Sequence, residues 1–253
     1  GFWLGANGWG GNSENLDGNI SEFRASNFAV YTANFTPPTD LYPVGAASVQ
    51  QDPYYDNVVL LLRGAGADYS TSIVDDSKYH RSPYVSDVRI LGNEMVANGD
   101  FGILQYPNST DFSLQMAYTL EFDYTQIAVD AFTRYGLSTT PGRYFSVNAD
   151  TDLIQTGWGG SGLGLAVPAN VKNRLVICRD RGGNMYAYKN GVLTVSGSST
   201  QTDSSSAPFG VFNIPGRGDL RSLNAKISNF RYTQGVCRYF WNTAPIQATF
   251  PTS

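Results

Sequence analysis

Met185-Tyr186-Ala187-Tyr188-Lys189-Asn190-Gly191-Val192-Leu193-Thr194-Val195 decides the fold class. Two arms of alternating character flank Asn190-Gly191, a dipeptide that supplies the positive φ angles of a type I′ turn. The stretch is a two-residue β-hairpin. Just before it, Leu175-Val176-Ile177-Cys178 is an apolar run held between Arg174 and Arg179, a strand for the hairpin to pair with. Working outward, short segments of strand character recur at 58–62, 88–91, 102–105, 118–124, 127–131, 143–147 and 163–167. Val58-Val59-Leu60-Leu61-Leu62 is apolar throughout, which predicts a central strand covered on both faces. Residues 64–83 are rich in Asp, Ser and Gly and read as a long loop or irregular strand. No segment carries the period of an amphipathic helix. Two packed antiparallel sheets bury such strands.

The two ends of the chain resemble each other. Leu16-Asp17-Gly18-Asn19-Ile20-Ser21-Glu22-Phe23-Arg24 returns as Leu223-Asn224-Ala225-Lys226-Ile227-Ser228-Asn229-Phe230-Arg231, an offset of 207. A one-residue gap then aligns Tyr31 with Tyr239 and Pro37 with Pro245. Self-similarity at a fixed period marks a modular array. The sequence therefore divides into the closing strands of one module (1–43), a small and polar linker (44–52) and one whole module (53–251). Residues 1–43 cannot bury a core alone. Ile20, Phe23, Arg24, Tyr31 and Phe35 form the segment expected to dock on a neighbouring sheet edge, because unpaired edges template association.

At 253 residues, one module near 200 residues is ample to bury a core. Charged residues are 15% and aromatics 13% of the chain, with 27 glycines, which suits strands joined by many turns. The net charge of −4 comes with no basic cluster, which argues against a nucleic-acid partner. No apolar run reaches the roughly 18 residues that a membrane-spanning helix needs. Gly1-Phe2-Trp3-Leu4-Gly5 lacks the pattern of a signal peptide, so the start reads as internal or processed. Cys178 and Cys237 lie in short apolar runs and read as small buried hydrophobes; a disulfide between them stays open.

Three stretches together resemble the laminin-G-like, concanavalin A-like domains that occur in tandem in bacteriophage structural proteins. The first is Asp52-Pro53-Tyr54-Tyr55-Asp56-Asn57 with the apolar run that follows it. The second is Arg174–Asp180 together with Asn190-Gly191-Val192. The third is Ile20-Ser21-Glu22-Phe23-Arg24 with Tyr31-Thr32-Ala33-Asn34-Phe35-Thr36-Pro37-Pro38, and its divergent copy from Ile227 to Pro245. The resemblance implies an all-β antiparallel jelly-roll sandwich with an extra N-terminal strand segment. It also implies a role on a virion surface, in adhesion or assembly; the partners to expect are other virion proteins or like subunits, and the oligomeric state, a homo-oligomer included, stays open.

Candidate sites follow from chemistry. Glu121 and Asp123 share a strand face, and a glycanase needs two carboxylates flanking the scissile bond. Thr125 and Gln126 stand where a third acid would, so a non-enzymatic protein is expected, with no catalytic residue. Trp158, among glycines and near Asp152, offers a ring on which a host-surface glycan could stack. Asp68, Asp75 and Asp76, with His80 nearby, are the oxygen-rich loop residues that calcium would use, the one cofactor the sequence suggests. The main expectation is a virion structural or decoration protein. The alternative is a carbohydrate-binding adhesin of tail-fibre or cell-surface type.

Overall fold

One strand organises the ladder, and it is the second copy of the repeated motif. The computed structural model describes residues 52–97, 99–112, 117–127, 133–140, 143–148, 153–156, 164–198, 207–216 and 222–239. The expected docking segment (Ile20, Phe23, Arg24, Tyr31, Phe35) and linker residues 44–51 lie outside them. The described residues belong to one unit of the chain, residues 51–253.

Among the described residues fifteen strands run in the order β1 (Val58–Leu62), β2 (Tyr84–Ser86), β3 (Val88–Leu91), β4 (Glu94–Ala97), β5 (Ile103–Ser109), β6 (Tyr118–Gln126) and β7 (Thr133–Thr140). There follow β8 (Arg143–Asn148), β9 (Leu153–Thr156), β10 (Gly164–Ala166), β11 (Asn173–Arg179), β12 (Asn184–Lys189), β13 (Val192–Ser198), β14 (Ala207–Gly210) and β15 (Ala225–Gln234). An eight-stranded sheet has the order β13-β12-β11-β6-β15-β4-β3, with β1 also on β15. A seven-stranded sheet has the order β10-β9-β8-β7-β14-β5-β2. Every pairing is antiparallel. The result is the all-β jelly-roll sandwich that the sequence predicts.

β15 pairs with β6 along its length on one edge. On the other edge its first half pairs with β4 and its second half with β1. A bulge between Ser228 and Arg231 sits where the partner changes, and Asn229 takes a φ of 45° there. Asn is among the residues that tolerate this region. The bulge keeps Ile227, Phe230 and Tyr232 in the core while Arg231 faces outward from the sandwich.

The core between the sheets is aromatic. Phe209 lies 5.9 Å from Phe230 and 5.4 Å from Tyr232, and Phe112 lies 5.4 Å from Phe209, centroid to centroid. Rings so offset add to the roughly 1.5–3 kcal/mol that burying each side chain contributes. β1 is buried on both faces as expected: Val59, Leu60 and Leu62 join the core, while Val58 and Leu61 pack beneath Tyr55.

The hairpin of β12 and β13 forms as read, with positive φ at both Asn190 (51°) and Gly191 (86°). Five strands go unread in the sequence: β2, β4, β7, β9 and β14. The signal for β4 is present, since Gly92-Asn93 takes φ of 60° and 59° and closes the β3–β4 hairpin as a two-residue turn. Ile127, expected to begin a strand over 127–131, follows the end of β6, and 128–131 lie outside the described residues. Asp52, expected at the end of the linker, belongs to the sandwich, because both its carboxylate oxygens are bonded by arginines of the module.

Gly210 tests the packing of the seven-stranded sheet. A Cβ there would stand 2.3 Å from the Asn213 carbonyl oxygen and 3.0 Å from Pro215. Backbone cannot swing aside as a side chain can. Gly210→Ala should cost about 1–3 kcal/mol in urea unfolding; an unchanged midpoint would mean that the 211–215 turn does not pack as described.

Candidate functional site

Residues 63–83 join β1 of one sheet to β2 of the other. They pass the side of the sandwich where β2 and β3 are edge strands. Tyr69 and Ser70 exchange backbone hydrogen bonds with Ile90 of β3, and Ile73 is buried in the core. One carboxylate folds the rest of the loop. Asp75 accepts from the Leu61 and Ser77 amides at Oδ1 (3.0 and 2.9 Å), and from the Ser77 hydroxyl and Arg81 amide at Oδ2 (both 2.9 Å). The Asp75–Ser77 pair is an Asx turn. Arg81 fastens the far end: its guanidinium donates to the Val59 carbonyl and to Asp111, and lies 4.0 Å from the Tyr79 ring centroid.

A cleft of about 380 Å³ opens between 71–75 and 80–85. Thr71, Ser72 and Ser82 give it hydroxyls; Val74, Pro83 and Val85 give it apolar CH surface. His80 stands on its rim, exposed, with a φ of 46°. Its Nδ1 lies 3.2 Å from the Asp75 carbonyl oxygen. A carbonyl only accepts, so Nδ1 carries the hydrogen in this contact. A smaller cleft of about 180 Å³ shares Ile73 and Val74 with the first, so the exposed Val74 forms the ridge between them.

A second constellation lies on the outer face of the eight-stranded sheet and is closed. Arg231 donates through Nε to Glu121 Oε2 (2.6 Å) and through Nη1 to Asp52 Oδ2 (2.9 Å). Arg238 holds both Asp52 oxygens, at 2.7 and 2.8 Å. The Tyr239 hydroxyl donates to Glu121 Oε1 at 2.9 Å. Arg174 reaches Asp123 at 3.2 Å, and Asn229 donates to the same carboxylate at 2.8 Å. Burial alone would raise the Asp52 carboxyl, but the Arg238 hydrogen bonds and charge, the Tyr54 amide and the Arg231 charge hold it below its ordinary value of 3.8.

The residues singled out in the sequence fare differently. Glu121 and Asp123 do share a face, but Glu121 is 1% exposed and both its oxygens are occupied. The pair is an ion-pair anchor rather than an open cleft. Asp68, Asp75 and Asp76 are not brought together. Asp68 accepts from the Gly92 amide, Asp75 builds the loop, and Asp76 pairs with Arg63 at 3.0 Å. Among the described residues no group of three His, Cys, Asp or Glu side chains could hold a metal ion. Trp158 and Asp152 lie outside the described residues. Sequence reasoning passed over Thr71, Ser72, Ser82 and Val85, because a groove lined by short polar side chains leaves no spacing to recognise; the lone His80 was the available signal.

No protein-family model matches this chain, and no curated protein does. Solved structures match its fold. A Trypanosoma rangeli sialidase in complex with sialic acid superposes with a TM-score of 0.55 at 14% identity, over 70% of this chain and 31% of that one. The botulinum neurotoxin serotype D binding domain gives 0.55 at 15% identity, over 72% and 49%. A structure of botulinum neurotoxin type C, whose cell entry depends on interaction with two ganglioside molecules, gives 0.53 at 14%, over 71% and 48%. The chain thus spans about a third to a half of the length of these proteins. At such identities the likeness shows the fold: a β-sandwich of the concanavalin A-like kind.

Breaking the outer-face cluster costs stability. Arg231→Met should destabilise by about 3–5 kcal/mol, since it strips a buried Glu121 of its main counter-charge. Asp52 adds a pH dependence. Its folded value lies below 3.8, so the unfolded chain binds the proton more readily. Its contribution is full above that value and is lost as pH falls through the folded one. In urea titrations the deficit of Asp52→Asn against wild type should be largest near neutrality and shrink below about pH 4. A deficit constant from pH 7 to pH 3 would contradict this.

Proposed function

We propose that this protein is a carbohydrate-binding adhesin that takes a sugar in the cleft between 71–75 and 80–85. The observation that carries the reading is the mixed lining of that cleft. The hydroxyl residues Thr71, Ser72 and Ser82 and the imidazole of His80 line it together with the apolar Val74, Pro83 and Val85. A sugar ring presents the complement, hydroxyls at its edge and CH groups on its faces, and about 380 Å³ suits one or two such rings. A sialidase in complex with sialic acid, a botulinum neurotoxin DC binding domain in complex with SialylT, and botulinum neurotoxin type C, whose cell entry depends on interaction with two ganglioside molecules, share the fold and support the reading by analogy.

A glycan array probed with the full chain, followed by calorimetry on the best binder, tests it. The expected outcome is a Kd between micromolar and millimolar, weakened at least tenfold by His80→Ala or by Ser82→Tyr, which fills the cleft, and unchanged by Trp158→Ala. Binding that survives both cleft variants but fails with Trp158→Ala would move the site to the 157–162 loop. An array with no binder would sink the reading.

A second reading, a virion structural or decoration protein at a phage surface, is favoured by the terminal repeat. Ile20, Phe23, Arg24 and Tyr31 align with Ile227, Phe230, Arg231 and Tyr239, the residues that build the central strand and its outer-face cluster. A segment with that pattern is suited to assembly with partner strands. Light scattering of the chain with and without residues 1–43 discriminates: on this reading an oligomer falls to monomer on truncation. A monomer unaffected by truncation would leave the adhesin alone.

A further inference from the structure

The chain beyond β15 turns at Gly235 (φ 80°) and runs back as a strap over the outer face of the eight-stranded sheet. One hydroxyl bonds it on both sides of Cys237. Thr119 Oγ1 on β6 donates to the Val236 carbonyl and accepts from the Arg238 amide, both at 2.9 Å. Tyr239 then packs edge-on against Tyr188, with ring centroids 6.3 Å apart. Between these anchors Cys237 is half-buried among Val176, Cys178, Tyr186, Tyr188 and Leu193. Cys178, on β11, is fully buried, and its sulfur lies 3.4 Å from the same Thr119 hydroxyl. The Cys237 thiol itself donates to the Tyr239 carbonyl at 3.2 Å.

We propose that Cys178 and Cys237 are a redox pair whose disulfide clamps the strap 235–239 onto the sheet. Cys237 packs against the small cluster that contains Cys178, and the Thr119 hydroxyl beside Cys178 Sγ also bonds both chain neighbours of Cys237, so the strap holds the two side chains in one place, as a disulfide requires. The two thiols are also unequal. The neighbouring Cys178 side chain holds the half-exposed Cys237 below the usual thiol range, while burial pushes Cys178 well above it. Cys237 is therefore the thiol that meets an oxidant first.

With a small disulfide such as oxidised glutathione as oxidant, the Cys237 thiolate attacks one glutathione sulfur and expels the other as thiolate. Cys178 then gives up its proton to that leaving thiolate or to water. It attacks Cys237 Sγ and expels the second glutathione. Two protein thiols are oxidised by two electrons and one disulfide is reduced to two thiols. The clamp closes the chain from 178 to 237 and fixes Arg238 and Tyr239 where they pair with Asp52 and Glu121.

The test is equilibration of the folded full chain with oxidised or reduced glutathione, read by thiol titration and peptide mapping under non-reducing conditions. The expected result is loss of both thiols as one intramolecular Cys178–Cys237 link. The oxidised form should also melt higher than the reduced form and be slower to be cut by protease within 235–239. In Cys178→Ser the remaining Cys237 should hold a glutathione adduct, and in Cys237→Ser the buried Cys178 should hold none. Two thiols persisting in the folded wild-type chain under oxidised glutathione would overturn the proposal. So would a link that forms only between molecules or only in urea. Because these readings use the wild-type chain, they stand even if a serine variant fails to fold.

Discussion

A buried guanidinium holds this sandwich together. Arg231 is 1% exposed in the middle of the central strand. An unpaired charge there would cost several kcal/mol. It is tolerated because Glu121 arrives from the adjacent β6 and Asp52 from the beginning of the module. Arg238 in turn neutralises Asp52 from the strap. Entry, centre and exit of the module therefore meet at one charge cluster. Three carboxylates (Asp52, Glu121, Asp123) stand among three guanidiniums (Arg174, Arg231, Arg238). Such a cluster adds little net stability compared with an apolar packing of the same volume. What it adds here is register: β15 cannot slide against β6 without separating Arg231 from Glu121.

This explains which parts of the chain were legible. The β12–β13 hairpin could be read because its signal is local: Asn190-Gly191 needs no distant partner to specify a turn. The motif around β15 could be read because it occurs twice. Its conspicuous letters prove to be the ones with structural tasks: Ile227 and Phe230 in the core, Arg231 and Tyr239 in the outer cluster. Asp52 was misread because its partner Arg231 lies 179 residues further on. A small polar neighbourhood looks like linker until that partner is in place. The strands β2 and β4 are three and four residues long, too short for an alternating pattern to stand out.

The aspartates of the 63–83 loop show a related ambiguity. A cluster of acids in a Ser-rich loop reads equally as cation ligands or as turn builders, because both roles use carboxylate lone pairs. Geometry separates them. Asp75 accepts four hydrogen bonds from amides and a hydroxyl, so its oxygens already face donors of this chain. The candidate cleft is a by-product of that folding. Once Asp75 draws 75–81 into a tight loop and Arg81 fastens it to β1, a groove is left against 82–85. No short motif encodes it, which is why the sequence pointed instead at Trp158.

A groove made this way is pre-organised. Its walls are fixed by Asp75, by the Arg81 contacts to Val59, Asp111 and the Tyr79 ring, and by the Ser70–Ile90 ladder bonds. A ligand entering it orders little of the loop, which lowers the entropic cost of binding. The groove's free polar groups are mostly the short side chains of Thr71, Ser72 and Ser82, so a single site should bind a sugar weakly. Weak sites become useful when repeated, since a tethered second site sees its ligand at an effective concentration that can reach about millimolar. Several copies of such a groove presented together would hold a ligand that one copy does not, and the charge-locked sheet would keep each groove's frame rigid.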